Sequence, residues 1–281
     1  MSCSTTNWSW SRPCSVITHP PRTDAPVSRP RAWAGERAAV ARVGRPGGTV
    51  TLDGTTEQPG IDDDAPSTVV FDIGEVLIDE TRVWAVWADL LGVSHLTFAS
   101  VLGAAIVQGE GLRAVFDHLA PNLEWQSLEQ EHEHRYGGFR EEDLYPDARG
   151  CLEELASLGF SIVIAGNQPA RRRAQLASLG LPHDAMAMSE ELGVAKPDPA
   201  FFDRVLELAG SQEPGAVLYV GDRTDNDVAP AAAAGLRTCW LRRGPWGQLQ
   251  DLPDTTEEPD LVLEGLGELA TLLTTWRGGT T

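Results

Sequence analysis

The chain has 281 residues, and its 42% of hydrophobic residues is enough for one or two domains with a substantial core. Acidic residues outnumber basic ones by 41 to 22, and the resulting net charge of −19 argues against a nucleic-acid partner, because phosphate backbones are held mainly by Lys and Arg. No apolar run approaches the roughly 20 residues of a membrane-spanning helix, so we expect no membrane partner.

The compartment that the sequence predicts is the cytoplasm. The four cysteines, at positions 3, 14, 151 and 239, form no CxxC pair and no disulfide framework, which is typical of a reducing environment. Residues 1–14 also lack the basic leader and apolar stretch of a secretory signal.

Residues 1–66 differ from the rest of the chain. They are rich in Pro, Arg, Ser, Thr and Gly and show no sustained helical or strand period. Such a segment buries too little apolar surface to offset the entropy lost on ordering it, so we expect a disordered extension. Two other interpretations stay open: a tail with a targeting or interaction role, and an artefact of an upstream start codon.

After this extension the chain shows regular elements. The β-branched and aromatic run 68–71 predicts a buried strand. Residues 82–145 have apolar positions at helical spacing, which predicts several helices and no strands. From residue 146 the two periods alternate. The predicted helices are 148–158, 169–179, 199–209, 227–234 and 265–276, and the predicted strands are 161–165, 185–188, 216–220, 238–241 and 261–263.

This alternation predicts an α/β fold. Strands separated by helices of about 10–12 residues form parallel βαβ units, so we expect a doubly wound, mainly parallel, Rossmann-like sheet. The expected core is 67–81 with 146–275, the helical block 82–145 is inserted into it, and 276–281 is a tail. Ligands in such folds bind beyond the carboxyl ends of the strands, so the candidate residues are those that follow strands.

Four polar motifs stand at or near these strand ends. They are FDIGEVL at 71–77, IAGN at 164–167, GVAKPDP at 193–199 and VGDRTDND at 220–227. In this order and spacing they resemble the haloacid dehalogenase superfamily, whose members are mostly phosphatases. The resemblance covers about residues 67–275, and the block at 82–145 looks like the helical cap of that family.

The resemblance implies a nucleophile and a metal. Asp72 would attack phosphorus and form an aspartyl-phosphate, which splits one difficult transfer into two easier ones. Its neighbours are acidic, so a cation is needed, and Mg²⁺ prefers hard oxygen ligands. The implied ligands are Asp72, Asp222 and the backbone carbonyl of Gly74, with Asp227 and Asp225 as further candidates. Asp225 and Asp227 could instead cap the following helix.

Lys196 is the only lysine of the chain, against 21 arginines. A compact ammonium cannot be exchanged for a planar guanidinium at a tight site, so the composition itself favours a specific role. The resemblance implies that Lys196 offsets charge on the nucleophile and on the phosphoryl oxygens. Backbone N–H groups near Gly166 and Asn167 would help to bind the phosphoryl group.

Two glycines depart from the pattern of the family. Gly74 stands where its phosphatases usually have a second Asp, which protonates the leaving group and then activates water. Such acid–base help is typically worth about 10²–10⁴-fold. The candidate substitutes are Glu75 and a residue of the helical block. Gly166 stands where the family usually has a Ser or Thr donor, which leaves only backbone donors there.

We therefore expect a Mg²⁺-dependent hydrolase that acts on a small phosphorylated metabolite through Asp72, with the helical block closing over the substrate. One alternative is a 2-haloacid-type dehalogenase, since those enzymes also lack the second Asp, but they are metal-free, whereas the group Asp222 and Asp227 suits a cation. A second alternative is a weakened member that binds a phosphorylated ligand without turnover. The sequence defines neither the substrate nor the oligomeric state.

Overall fold

The described residues of this computed structural model, 65–211, 213–252 and 258–278, form one parallel sheet of six strands. The disorder predicted for 1–66 concerns residues that lie almost wholly outside these ranges. Each predicted strand is present to within one residue at either end. The strands are β1 (Thr68–Phe71), β2 (Ser161–Gly166), β3 (Ala185–Met188), β4 (Val217–Gly221), β5 (Arg237–Leu241) and β6 (Leu261–Leu263).

The order of the strands is β3-β2-β1-β4-β5-β6, so the winding direction of the chain reverses at β1. The last residue of β1, Phe71, pairs with Ile164 of β2 and Val220 of β4. The carboxyl ends of the three central strands are therefore level, at the switch point where doubly wound folds bind ligands. This topology confirms the predicted fold class.

Helices pack on both faces of the sheet. On one face, Val69 and Phe71 pack with side chains of α5 (Ala148–Ser157) and α11 (Leu269–Gly278). On the other face, Val70 packs with Phe201 and Phe202 of α8 (Pro199–Ala209). Because alternate residues of a strand point to opposite faces, this double burial explains why the strands are apolar runs without alternation.

The inserted block is helical throughout, as predicted. It consists of α1 (Thr81–Leu91), α2 (His95–Val107), α3 (Leu112–Leu119) and α4 (Glu129–Tyr136), joined by turns and short 3₁₀ segments. Its own core is aromatic: the Phe116 ring lies 4.8 Å from Trp87 and 4.7 Å from Trp125. We call α1–α4 the helical insertion. The domain boundaries 82–145 stay a prediction.

The two chain segments that lead into and out of the helical insertion are hydrogen-bonded to each other. The Asp79 N–H donates to the Asp143 carbonyl at 2.7 Å, and the Tyr145 N–H donates to the Leu77 carbonyl at 3.0 Å. The insertion is therefore attached close to the carboxyl end of β1. In the described part of the chain no single helix has the length and composition to cross a membrane, and the one helix pair that meets both criteria together, α1 with α2, is bent by 110°.

Four short helices complete the core: α6 (Arg172–Ser178), α7 (Ser189–Leu192), α9 (Ala229–Ala233) and α10 (Gly244–Leu249). Three predicted helix starts are wrong. The helix expected from 265 begins at Leu269, because Leu266–Glu268 forms a 3₁₀ turn before it. The helix expected from 169 begins at Arg172, because the Arg172 N–H donates to the Pro169 carbonyl at 2.9 Å in a tight turn. The helix expected from 227 begins at Ala229, because Thr224–Val228 forms one π-helical turn.

Candidate active site

Three buried carboxylates meet at the level strand ends. Asp72 directly follows β1, Asp222 directly follows β4, and Asp227 lies in the π-helical turn that comes next. One carboxylate oxygen of each lies within 4.8 Å of the other two. Like charges at this separation repel each other strongly away from water, so the arrangement requires positive charge.

Lys196 supplies part of that charge. Its Nζ lies 2.7 Å from Asp72 Oδ1 and 2.5 Å from Asp227 Oδ1, and its side chain is 1% exposed. Burial disfavours the charged ammonium, but Asp227 and Asp72 outweigh burial and hold the pKa of Lys196 well above its usual value. One ammonium faces three carboxylates, so the cluster keeps an excess of acidic groups.

A side chain and a backbone N–H from two loops position the Lys196–Asp227 pair. Asn167 accepts from the Lys196 N–H at 2.8 Å and donates to the Lys196 carbonyl at 2.9 Å. Asp227 Oδ2 accepts from the Arg223 N–H at 3.0 Å. The amide of Asn167, a predicted substrate-binding residue, is thus engaged in holding Lys196, and only its backbone is available for a phosphoryl group.

Asp222 has the features of a cation ligand. Its Oδ2 is buried and has no hydrogen-bond partner among the described residues. Burial, and then the charges of Asp227 and Asp72, raise the pKa of Asp222 well above its usual value. Buried polar atoms almost always have a partner, and hard carboxylate oxygens in this arrangement fit the ligand preference of Mg²⁺.

Asp225, also a candidate ligand from the sequence, lies outside this cluster. Its carboxylate accepts from the Arg223 guanidinium at 2.8 Å and from Gln250 Nε2 at 2.9 Å, and its side chain is half exposed. The three-carboxylate group therefore forms without it.

The absence of a side chain at Gly166 is a steric requirement of this arrangement. A Cβ added there would lie 2.5 Å from Asp72 Oδ1, a distance that real Cβ atoms essentially never show. The Ser or Thr that the resemblance leads one to expect would displace the Asp72 carboxylate. Glycine lets the end of β2 approach Asp72 closely.

Glu75, the nearest predicted substitute for the missing Asp, is engaged by a tyrosine. It is buried, its Oε2 accepts from the Tyr145 hydroxyl at 2.5 Å, and its carboxyl fills the space beside Gly244, where an added Cβ would lie 2.6 Å from it. Burial raises the pKa of Glu75 to about 7, although the Tyr145 hydrogen bond opposes this shift.

A different carboxyl occupies the space that Gly74 leaves open. A Cβ added to Gly74 would lie 2.6 Å from Glu80 Oε1 and 2.8 Å from the carboxyl carbon of Glu80. Burial raises the pKa of Glu80 to about 8, and the charges of Glu75 and Asp72 add to this shift. No sequence signal points to this residue, because Glu80 lies outside the four motifs and just before α1.

A cavity of about 490 Å³ separates the strand ends from the helical insertion. One wall is aromatic and includes Trp84, Trp87 and Trp125, whereas Gln168 and Glu80 line the side that belongs to the core and its connection. Its other lining residues include Val83, Leu112, Glu129, His132, Glu133, Tyr136, Phe139, Pro169, Arg171, Arg172 and Glu190. The cavity is therefore amphipathic, and Glu80 and Gln168 are the lining residues that come from the segments next to the site.

The parallel sheet, and the acidic residues with a buried lysine at its switch point, are those of a doubly wound α/β hydrolase. The chain belongs to the haloacid dehalogenase-like hydrolase family, whose model matches residues 66–235. This confirms the resemblance noted in the motifs.

Curated relatives carry phosphatase names. The chain is 33% identical over 135 residues to glyceraldehyde 3-phosphate phosphatase of Methanopyrus kandleri, an alignment that covers 45% of this chain and 58% of that protein. It is 41% identical over 98 residues to the pyrimidine 5'-nucleotidase YjjG of Escherichia coli, covering 34% and 44%. The chain thus spans about half the length of the curated relatives it matches.

Solved structures show the same fold. The magnesium-bound HAD-hydrolase YfnB of Bacillus subtilis has a TM-score of 0.59 and 22% identity, with 74% of this chain and 99% of that chain covered. The L-2-haloacid dehalogenase of Xanthobacter autotrophicus has a TM-score of 0.54 and 22% identity, with 74% and 98% covered. At this identity the likeness concerns the fold alone.

Proposed function

We propose that this protein is a Mg²⁺-dependent phosphatase that hydrolyses a small phosphomonoester through an aspartyl-phosphate on Asp72. The observation that carries the proposal is the buried group of Asp72, Asp222 and Asp227 with the Lys196 ammonium between two of them. Membership of the hydrolase family and the phosphatase names of its relatives support the same chemistry.

The residues of the site divide the work of the first step. Asp72 is the nucleophile, and its carboxylate must stay ionised to attack phosphorus. Lys196, held by Asn167 and Asp227, keeps positive charge beside that carboxylate and beside the incoming phosphoryl oxygens. Asp72, Asp222 and the Gly74 carbonyl would hold Mg²⁺. When bound, the ion offsets the charge of the carboxylates and of the phosphoryl group.

Asp227 has a second role beside the acidic group. Its two oxygens accept from the Lys196 ammonium and the Arg223 N–H, so it orients the lysine and would also contribute negative charge beside the cation. The helical insertion forms the outer wall of the cavity and would act as a cap that excludes water and selects the organic part of the substrate.

The test is phosphate release from a generic aryl phosphate by the full chain. We expect release with Mg²⁺, none with a chelator, and none from Asp72→Asn. The matched control is Asp117→Asn, since Asp117 is an exposed carboxylate of α3 with its side chain 59% exposed. Release that persists in Asp72→Asn or in the chelator would contradict the proposal.

Two other functions can be tested with the same chain in separate assays. The lack of a side chain at Gly74 favours a dehalogenase, which would release halide from a 2-haloacid in the presence of a chelator. A weakened member of the family would bind Mg²⁺ and phosphate in a calorimeter without releasing phosphate from any ester. The excess of buried carboxylates favours the metal-dependent reaction over the metal-free one.

A further inference from the structure

We infer that Glu80 is the acid–base residue of this active site and takes the place of the side chain that Gly74 lacks. The inference rests on the proposed function and assigns a catalytic residue that lies outside the motifs of the family.

The geometry at Gly74 carries the inference. Both carboxylate oxygens of Glu80 lie within 3.3 Å of the point where a Cβ of residue 74 would be, and the nearer one lies at 2.6 Å. A side chain at position 74 would have to pass through that carboxyl. The Glu80 carboxyl therefore occupies the space that a carboxyl grown from residue 74 would enter.

Glu80 is also placed to meet a substrate. It lines the cavity beneath the helical insertion and is half buried, so it faces the space in which a leaving group would lie. Glu75 does not line that cavity, and its carboxyl is engaged by Tyr145. Of the two glutamates near Gly74, only Glu80 adjoins the substrate space.

The segment between the two residues explains how Glu80 returns to Gly74. The N–H groups of Leu77 and Ile78 both donate to the Ile73 carbonyl, at 3.0 and 2.9 Å, and the Glu75 N–H donates to the Ile78 carbonyl at 2.7 Å. This tight turn folds the chain back on itself directly after the nucleophile. The start of α1 is thereby held beside the loop that carries Asp72.

The proposed steps balance as follows. Asp72 forms a bond to phosphorus while the bond from phosphorus to the ester oxygen breaks, and the neutral Glu80 carboxyl gives its proton to that oxygen. The Glu80 carboxylate then takes a proton from water as the water oxygen bonds to phosphorus. The bond from phosphorus to Asp72 breaks, which returns Asp72 as a carboxylate, Glu80 as an acid and free phosphate.

The experiment compares Glu80→Gln with the unmodified chain on two esters of similar shape, phenyl phosphate and p-nitrophenyl phosphate. The nitrophenolate leaves without a proton, whereas the phenolate needs one. For Glu80→Gln we expect kcat/KM on phenyl phosphate to fall by about 10²–10⁴-fold, and on p-nitrophenyl phosphate by at least about tenfold less. We also expect a burst of nitrophenol whose molar amount equals that of the enzyme, because the hydrolysis of the aspartyl-phosphate loses its base and becomes slow.

The controls separate chemistry from structure. Glu129→Gln removes another half-buried carboxyl of the same cavity and should change both esters by the same factor. An equal fall on both esters in Glu80→Gln, or unaltered kinetics, would overturn the inference, as would the leaving-group pattern appearing in Glu75→Gln instead. If the unmodified chain and Asp72→Asn release phosphate equally, the proposed function itself is overturned, and Glu80 loses its role with it.

Discussion

Replacing Lys196 by Met should lower the free energy of unfolding by more than the loss of any surface charge does. The ammonium is 1% exposed and contacts Asp72 at 2.7 Å and Asp227 at 2.5 Å. Removing one partner of a buried ion pair costs about 3–5 kcal/mol, because the other charge is left uncompensated. Here two carboxylates lose their partner, and a third, Asp222, lies within 4.8 Å of them. We therefore expect a cost at the upper end of that range.

The assay is urea denaturation in the presence of a chelator, with Arg204→Met as the matched control. Arg204 pairs with Glu207 on the surface of α8, with side chains 54% and 64% exposed, so its loss should cost no more than about 1 kcal/mol. Because carboxylates without a counter-charge have raised pKa values in the folded state, the cost at Lys196 should grow as the pH rises above the ordinary carboxyl range.

Mg²⁺ provides the second half of the test. A ligand at a hundredfold its Kd contributes about 2.7 kcal/mol to stability, so the ion should restore much of what Lys196→Met loses and should stabilise this variant more than the unmodified chain. A cost equal to that of Arg204→Met, at every pH and without Mg²⁺, would refute the claim that Lys196 balances the buried carboxylates.

Three further outcomes follow from the same geometry. Gly166→Ser should lower stability by about 1–3 kcal/mol and lower kcat, because its Cβ would lie 2.5 Å from Asp72 Oδ1; a gain in activity would contradict the steric argument. The pKa of Glu75 is raised from 4.5 to about 7, so this carboxyl should cost the folded state up to about 3 kcal/mol as the pH rises through that interval. Denaturation of Glu75→Gln across this range should show a smaller fall than the unmodified chain, because Glu80, with its pKa raised to about 8, still contributes; an identical profile would contradict the contribution of Glu75. Gly74→Asp should inactivate the chain, because its Cβ would lie 2.6 Å from Glu80 Oε1, whereas Gly74→Asp combined with Glu80→Ala should recover turnover. The measurement is kcat/KM on phenyl phosphate, and equal values in the two variants would contradict the idea that the two carboxyls compete for one space.

The elements that the sequence predicts well are those whose limits depend on burial. The strands β3 and β6 have the predicted bounds because apolar residues that fill a two-sided sheet end where polar residues begin. The start of α6 was missed because a tight turn at Pro169 precedes it, and the Ala170 N–H donates to Glu190 instead of to a helix. That partner comes from a distant loop, and no periodicity reveals it.

The residues of the candidate site also fall into those that the sequence predicts and those that depend on distant contacts. Asp72 and Asp222 were predictable because each directly follows a strand, and parallel strands bring their carboxyl ends to one edge. Asn167 follows a predicted strand and so lies near the site, but its bonds to Lys196 depend on two loops that only the folded sheet brings together. Glu80 could not be predicted, since the hydrogen bonds of the turn at Ile73 decide where it lies.

The two glycines that first suggested a weakened enzyme have different physical meanings. At Gly166 there is no free space for a side chain, because the Asp72 carboxylate already occupies it. The close approach of Asp72 to β2 therefore comes with the loss of a hydroxyl donor at position 166. At Gly74 the space is filled by a carboxyl, the group that the family normally places there, but it comes from the residue before α1 instead of from the loop. A motif that looks incomplete in sequence can thus be complete in space. The proposed acid–base step therefore depends on the Glu80 carboxyl, and Glu80→Gln tests that step directly.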